Sequence, residues 1–415
     1  MKVNYTPCKV CLITGYLGAG KTTLLNKVLE EPGNHRIAVI VNDIGEINID
    51  AKLIARSGGG VTEQTGDLVP LTNGCICCNL SQDLAQQLSD LACTNKYDYI
   101  VIEASGICEP IPIAQTITMM AQATRDQNMP AIVELDNIVS VCDAARLVDE
   151  FNCGDDLEAT DYDHHHHHHH HDDDDDEDEH DHHDNDDDED EDDEEEEDLA
   201  SLITQQLEFC NTVVLNKTDL VSEEEKNKVA AVIHALNPGT KILEASYGNV
   251  PVADIFDTGL FDYERSIMSA GWIAALENPH EHDHDSGEAL EYGIETYVFE
   301  RREPFFMEKL QSVFMNWPEN IIRTKGYVWF RENPNDAFIL EQAGRQVTIQ
   351  PDGIWLACAP KKDREEAFAE YPDLADDWDD VFGDRVNRLV IIGQDLDKEW
   401  LHENLESAID GAFRP

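Results

Sequence analysis

No stretch of about 18 consecutive apolar residues occurs in this chain, so a membrane-spanning helix is not expected. The start, Met1-Lys2-Val3-Asn4-Tyr5-Thr6-Pro7, offers no apolar signal-peptide core, and a cytoplasmic location is expected. Positive charge is scarce: 29 Lys and Arg stand against 87 Asp and Glu in 415 residues. Such a surface repels nucleic-acid phosphate and anionic lipid, so neither nucleic acid nor membrane is an expected partner. It favours cations, divalent metals included. A disulfide framework is also not expected. The 11 cysteines are odd in number, and three of them fall within four positions, which fits thiolate chemistry in a reducing compartment.

Two short motifs carry the chemistry. Gly15-Tyr16-Leu17-Gly18-Ala19-Gly20-Lys21-Thr22 matches the phosphate-loop pattern G-x-x-x-x-G-K-[ST]. Gly15, Gly18 and Gly20 permit the backbone angles and close approach by which N–H groups surround phosphate oxygens. Ala19 and Thr23 belong to the same phosphate-binding stretch. Lys21 is expected to reach the β- and γ-phosphates and Thr22 to offer its hydroxyl to Mg²⁺, which makes both candidate catalytic residues. The helix that follows presents its N-terminus to the anion. The second motif, Asn216-Lys217-Thr218-Asp219, follows an apolar run. The Asp219 carboxylate can accept from guanine N1–H and its exocyclic amine, whereas adenine would face it with a lone pair. The Lys217 stem can cover the base, and Ala245-Ser246, after the next apolar run, is expected to supply a backbone contact to it. Glu103, in Ile102-Glu103-Ala104-Ser105-Gly106, is placed to act on Mg²⁺ through water, and Gly106 to bond the γ-phosphate and sense its loss.

The apolar runs Val10–Ile13, Arg36–Val41, Tyr99–Ile102, Ile138–Val141, Thr212–Leu215 and Lys241–Leu243 alternate with helical stretches such as Thr22–Glu30. That alternation predicts an α/β domain with a mostly parallel sheet covered on both faces. It is expected to span residues 1–274. Within it, residues 155–198 hold 28 acidic residues and 11 histidines, His164–His171 among them, with no Lys or Arg. So little apolar surface predicts disorder and many weak metal sites. A linker is expected at 275–291, with His280, His282 and His284. Beyond it, residues 292–415 predict a smaller α+β domain. Its strands are expected at Tyr292–Glu300, Ile321–Phe330, Ala337–Leu340, Gln346–Ile349, Ile354–Leu356 and Leu389–Ile392, and its helices at Pro304–Met315 and Lys398–Ile409.

Cys75-Ile76-Cys77-Cys78 lies between the phosphate loop and Glu103. Thiolates are strong ligands for Zn²⁺, which prefers four tetrahedral ligands, so three sulfurs leave one position for a carboxylate, water or transfer partner. Asp43 and Glu46 are candidate fourth ligands. Redox activity and packing are the rivals, and the flanking Gly74 and Asn79 argue against packing. Cys11, Cys93, Cys142, Cys210 and Cys358 read as small core residues, and His35, His234 and His402 as ordinary surface or satisfied histidines.

These motifs resemble the CobW family of P-loop GTPases, relatives of the urease and hydrogenase nickel-insertion GTPases. The resemblance rests on Gly15–Thr22, Val41-Asn42-Asp43-Ile44-Gly45-Glu46, Gly74–Cys78, Glu103–Gly106 and Asn216–Asp219. It extends to Gly271-Trp272, Arg323-Thr324-Lys325-Gly326, Asp384–Arg388 and Arg388–Gly393. It implies a P-loop NTPase fold with a CobW-like C-terminal domain, GTP hydrolysis, zinc binding at the C-x-C-C cysteines, and delivery of zinc to a client protein. The tail looks closest to that of bacterial zinc-starvation members. Many members carry Asn-Glu where this chain has Asn42-Asp43, which shortens that side chain's reach. A nickel or cobalt inserter, and a metal buffer with a regulatory nucleotide site, stand as alternatives. The client and a nucleotide-dependent homodimer are left open.

Overall fold

The structure is a computed structural model that describes residues 6–41, 68–70, 76–126, 129–151, 200–268, 270–271, 273, 292–375 and 378–413. The expected insertion at 155–198 and linker at 275–291 lie outside the described residues, as do Asp43, Glu46 and Cys75.

The first sheet has seven parallel strands in the order β3-β2-β4-β1-β5-β6-β7. They are β1 (Cys8–Thr14), β2 (Ile37–Val41), β3 (Leu68–Pro70), β4 (Tyr99–Glu103), β5 (Val133–Asp143), β6 (Thr212–Asn216) and β7 (Lys241–Glu244). β2, β4 and β6 are buried along their whole length, which is why they read as unbroken apolar runs. Successive side chains serve opposite layers. Val10 and Leu12 join one apolar layer, with Leu84 and Leu88 of α2 (Ile76–Cys93) and Ile113 and Ile117 of α3 (Pro110–Asp126). Cys11 and Ile13 join the other, with Leu24, Leu25 and Val28 of α1 (Lys21–Glu30). α4 (Ala144–Glu150), α5 (200–208) and α6 (Glu223–Leu236) complete the first layer, and α7 (Tyr263–Met268) follows β7 in the chain. α6 begins at a capping box in which Ser222 and Glu225 satisfy each other's backbone N–H. The three-residue β3 went unread in the sequence, being too short for a periodic signal.

The second sheet is antiparallel, in the order β11-β10-β9-β12-β8. Its strands are β8 (Ile294–Arg301), β9 (Ile321–Val328), β10 (Asp336–Ala343), β11 (Gln346–Ile354) and β12 (Asn387–Gln394). α8 (Met307–Phe314) and α10 (Lys398–Ser407) cover one face through Leu310, Val313, Leu401 and Leu405; α9 (Lys361–Glu370) follows β11. On the other face Ile294, Ile322, Val390 and Ile392 belong to the same apolar cluster as Leu207, Phe209 and Leu236 of the first unit. The two sheets are thus held in one body by a shared core.

Two expectations need correction. The separate strands Gln346–Ile349 and Ile354–Leu356 are one strand, β11, while Leu356–Cys358 is a 3₁₀ turn. β11 is an edge strand, and the register shifts where Pro351 pairs with Phe338, so the missing N–H is tolerated. Cys93 is exposed and Cys358 only partly buried, unlike the buried Cys11, Cys142 and Cys210. Cys93 closes α2, and Cys358 lies beside Arg385 Nη2 and Asn335 Oδ1 at 3.0 and 3.3 Å. His35 is a satisfied histidine: it packs edge-on against Tyr99 and Phe256 and pairs with Asp257. Among the described residues no helix is long and apolar enough to cross a membrane.

Asp136 organises part of the edge of this body. Its carboxylate accepts from Tyr99 Oη at 2.5 Å, Thr258 N and Gly259 N at 3.0 Å, and Lys9 Nζ at 3.2 Å. Burial alone would raise this carboxyl, but the Tyr99 hydroxyl, the two N–H groups and Lys9 outweigh it and hold it below the usual range. Asp136→Asn sets an amide among four donors and is expected to cost about 1–3 kcal/mol in urea unfolding at neutral pH. A depressed folded-state value means this stability is present above the unfolded pKa of about 3.9 and is lost as pH falls. The gap between wild type and Asp136→Asn should therefore narrow below about pH 4; a gap that stays constant would contradict the assignment.

Candidate nucleotide and metal site

The carboxyl ends of β1, β4 and β6 bring the two motifs together. β1 leads into the phosphate loop, whose Gly15, Gly18 and Gly20 have φ of 134°, 76° and 110°. A Cβ on Gly15 would stand 2.1 Å from the Val141 carbonyl oxygen, and one on Gly20 2.3 Å from Asn216 Nδ2. Sterics therefore require glycine at both positions as strictly as phosphate contact does. Lys21 is buried, and its ammonium donates to the carbonyls of Gly15 (2.7 Å) and Tyr16 (3.2 Å), which folds it over the loop. Ala19 is buried within the loop, and Thr23 is exposed on the first turn of α1.

Thr22 Oγ1 donates to Glu103 Oε1 at 2.8 Å. Glu103 is the last residue of β4, buried, and in register with Ile13 of β1 and Val41 of β2. A hydroxyl and a carboxylate meeting beside a phosphate loop form a hard-oxygen donor pair of the kind Mg²⁺ selects. Gly106 follows in a turn packed on the loop, where a Cβ would meet Leu17 at 2.8 Å.

Asn216 is buried, and its side-chain amide is used within the protein. Nδ2 donates to Ala19 O of the phosphate loop at 2.9 Å, and Oδ1 accepts from Gly248 N at 2.9 Å. It braces the loop at 245–248 against the phosphate loop. Lys217 has φ +59° and pairs with Asp143 Oδ2 at 2.5 Å, while the other oxygen of Asp143 caps α4. Asp219 is exposed. Ser246 is half-buried, its hydroxyl 3.3 Å from that of Thr218.

Several contributors were not read from the sequence. Asp143 signals only a helix cap. Tyr247 lies between Ser246 and Gly248 with φ +55° and is 74% exposed. Non-glycine residues seldom adopt such angles, and two of the five in the described chain, Lys217 and Tyr247, sit in these loops. Gln206 of α5 donates to the carbonyls of Gly106 and Cys108, with no motif to announce it.

Of the metal candidates, Cys77 and Cys78 fall in the first turn of α2. Elsewhere, burial pushes the Cys142 thiol up to about 11 and those of Cys8 and Cys210 to about 12, so they remain protonated at neutral pH and are poor ligands.

Residues 9–244 match the family described as CobW/HypB/UreG, nucleotide-binding domain. The chain belongs to this family, and it is a P-loop GTPase. Residues 294–409 match the Cobalamin synthesis protein cobW C-terminal domain. The chain is 33% identical over 404 residues to zinc-regulated GTPase metalloprotein activator 1 of Dictyostelium discoideum, covering 92% of this chain and 76% of that protein. It is 26% identical over 343 residues to zinc chaperone YjiA of Escherichia coli, covering 79% and 84% respectively. The crystal structure of Zn(II)-bound YjiA GTPase from E. coli aligns at 19% identity and a TM-score of 0.41, over 97% of this chain and 99% of that one.

Asn216→Asp preserves shape but turns a donor into an acceptor facing the Ala19 carbonyl. In this CobW-family GTPase it is expected to weaken GTP binding at least tenfold and to destabilise the fold by about 1–3 kcal/mol. Titration calorimetry and thermal unfolding check both, and unchanged GTP affinity would show that the brace is dispensable.

Proposed function

We propose that this protein is a GTP-driven zinc chaperone, binding Zn²⁺ through Cys75, Cys77 and Cys78 and passing it to a zinc-requiring client. The observation that carries the reading is the Thr22–Glu103 contact beside the phosphate loop, in a chain that carries Cys75-Ile76-Cys77-Cys78 between the two. Relatives named zinc chaperone and zinc-regulated GTPase metalloprotein activator support zinc over nickel or cobalt.

In this reading Gly15–Thr23 hold the phosphates and Asp219 selects guanine, with Lys217 and the Ser246 backbone beside the base. Thr22 and Glu103 would hold Mg²⁺, which supplies charge neutralisation on the phosphates when bound. Lys21 exchanges its loop carbonyls for phosphate oxygens, and the Gly106 N–H contacts the γ-phosphate until it departs. Asp43 or Glu46 would supply the fourth zinc ligand, and residues 155–198 would collect metal of lower selectivity. The parallel-sheet unit is assigned to residues 1–274 and the client-facing unit to 292–415, with the site in the cytoplasm. Coupling requires that zinc affinity differ between nucleotide states, since only differential binding links two equilibria.

The test is Cys75, Cys77 and Cys78 changed together to Ser in protein lacking residues 155–198. The expected outcome is loss of one tightly bound zinc per chain and of any response of GTP turnover to zinc. Retention of both would refute the cysteine site.

A further inference from the structure

Helix α5 touches both the nucleotide site and the C-terminal sheet through two buried polar side chains in its last turn. Gln206, 2% exposed, donates Nε2–H to Gly106 O at 3.4 Å and Cys108 O at 3.3 Å. These carbonyls belong to the turn that leaves Glu103. Two residues on, Glu208 accepts from Arg323 of β9 in a two-pronged contact, Nε at 2.8 Å and Nη2 at 3.0 Å. Arg323 is fully buried. Its Nη2 also reaches Glu341 of β10 at 3.4 Å, and Glu341 pairs with Lys325 at 2.6 Å.

Packing alone does not account for this. The faces on either side are apolar, and an apolar pair of similar volume generally stabilises such an interface at least as well as a buried ion pair. What the pair adds is direction: a two-pronged guanidinium–carboxylate contact fixes the angle between helix and sheet. The carboxyl end of α5 is pinned separately, since Asn237 Nδ2 donates to the carbonyls of Leu207, Glu208 and Cys210. Beside the helix lies a cavity of about 200 Å³, lined by Ile203 and Gln206 of α5, Tyr16 and Leu17 of the phosphate loop, and Lys217. Gln206 and Glu208 both lie in the turn that the Asn237 amide ties together, so they shift as one, and the cavity leaves that turn room to shift at the phosphate loop.

We infer that Gln206 and the Glu208–Arg323 pair form a relay that carries the nucleotide state from the Gly106 turn to strand β9 of the C-terminal sheet. A turn drawn in by a γ-phosphate and released on hydrolysis moves the two carbonyls that Gln206 holds. The last turn of α5 shifts with them, and Glu208 moves Arg323. Gln206 is in this account a positioning residue for the GTPase reaction, because it also fixes the turn that faces the phosphate. The inference rests on the γ-phosphate assignment of Gly106 but not on zinc transfer.

The test is hydrogen exchange on the full chain with Mg·GDP and with Mg and a non-hydrolysable GTP analogue, alongside steady-state GTP turnover. In the wild type, exchange at both 103–110 and 321–328 should differ between the two states by about fivefold or more. Gln206→Leu should keep the difference at 103–110, abolish it at 321–328, and lower kcat about tenfold with KM within about twofold. Glu208→Gln, which keeps the size of the side chain, should blunt the difference at 321–328 and leave kcat unchanged; it serves equally if Gln206→Leu does not fold. A wild type with a response at 103–110 and none at 321–328 overturns the relay, as does a full response at 321–328 in either variant. No response at 103–110 overturns it by a different route, by removing the γ-phosphate assignment itself.

Discussion

One buried amide, that of Asn216, joins the two halves of the nucleotide site. The phosphate loop and the 245–248 loop come from distant parts of the chain, and Asn216 holds a backbone group of each. Its environment follows from that role. Gly20 must lack a Cβ because Asn216 Nδ2 occupies the space, and Gly248 must lack one because α1 lies against it. Leaving either partner unsatisfied in so buried a place costs about 1–3 kcal/mol. That is enough to loosen a loop whose backbone already sits at unfavourable angles. The neighbouring Lys217 and Tyr247 hold strained conformations only because the surrounding contacts over-determine them.

The second constraint lies between the sheets. Ile322, Val390 and Ile392 give the C-terminal sheet its apolar grip on the GTPase unit, while Arg323 and Glu208 set the angle of that grip. The two contributions differ in kind. Apolar burial is non-directional and scales with area, so it tolerates small slides. The ion pair does not, and losing one partner would strand a charge in the interior at about 3–5 kcal/mol. A helix bonded to both the Gly106 turn and this pair joins the nucleotide site to the C-terminal sheet.

Much of this was legible in the sequence, for identifiable reasons. The phosphate loop declares itself because its glycines answer to geometry that no other residue satisfies. The parallel strands declare themselves because burial on both faces forces unbroken apolar runs, as in Ile37–Val41 and Tyr99–Glu103. β11 was split in the reading because Pro351 and Gly353 imitate a turn, and only its place at the edge lets a strand run through them. Cys93 and Cys358 were taken for core because exposure depends on where a helix ends and which arginine arrives beside a thiol. Gln206 and Arg323 were illegible as a linkage for a deeper reason. A polar residue acquires meaning from its partner, and these partners lie about 100 positions away.

The account stands or falls on whether nucleotide and metal are coupled. The measurement that decides this is Zn²⁺ affinity by chelator competition under reducing, anaerobic conditions, in protein lacking residues 155–198. Three states are compared: no nucleotide, Mg·GDP, and Mg with a non-hydrolysable GTP analogue. The account predicts a shift of at least tenfold between states, equivalent to about 1.4 kcal/mol of coupling. Identical affinities in all three states would contradict it and would make the protein a zinc binder with an independent GTPase.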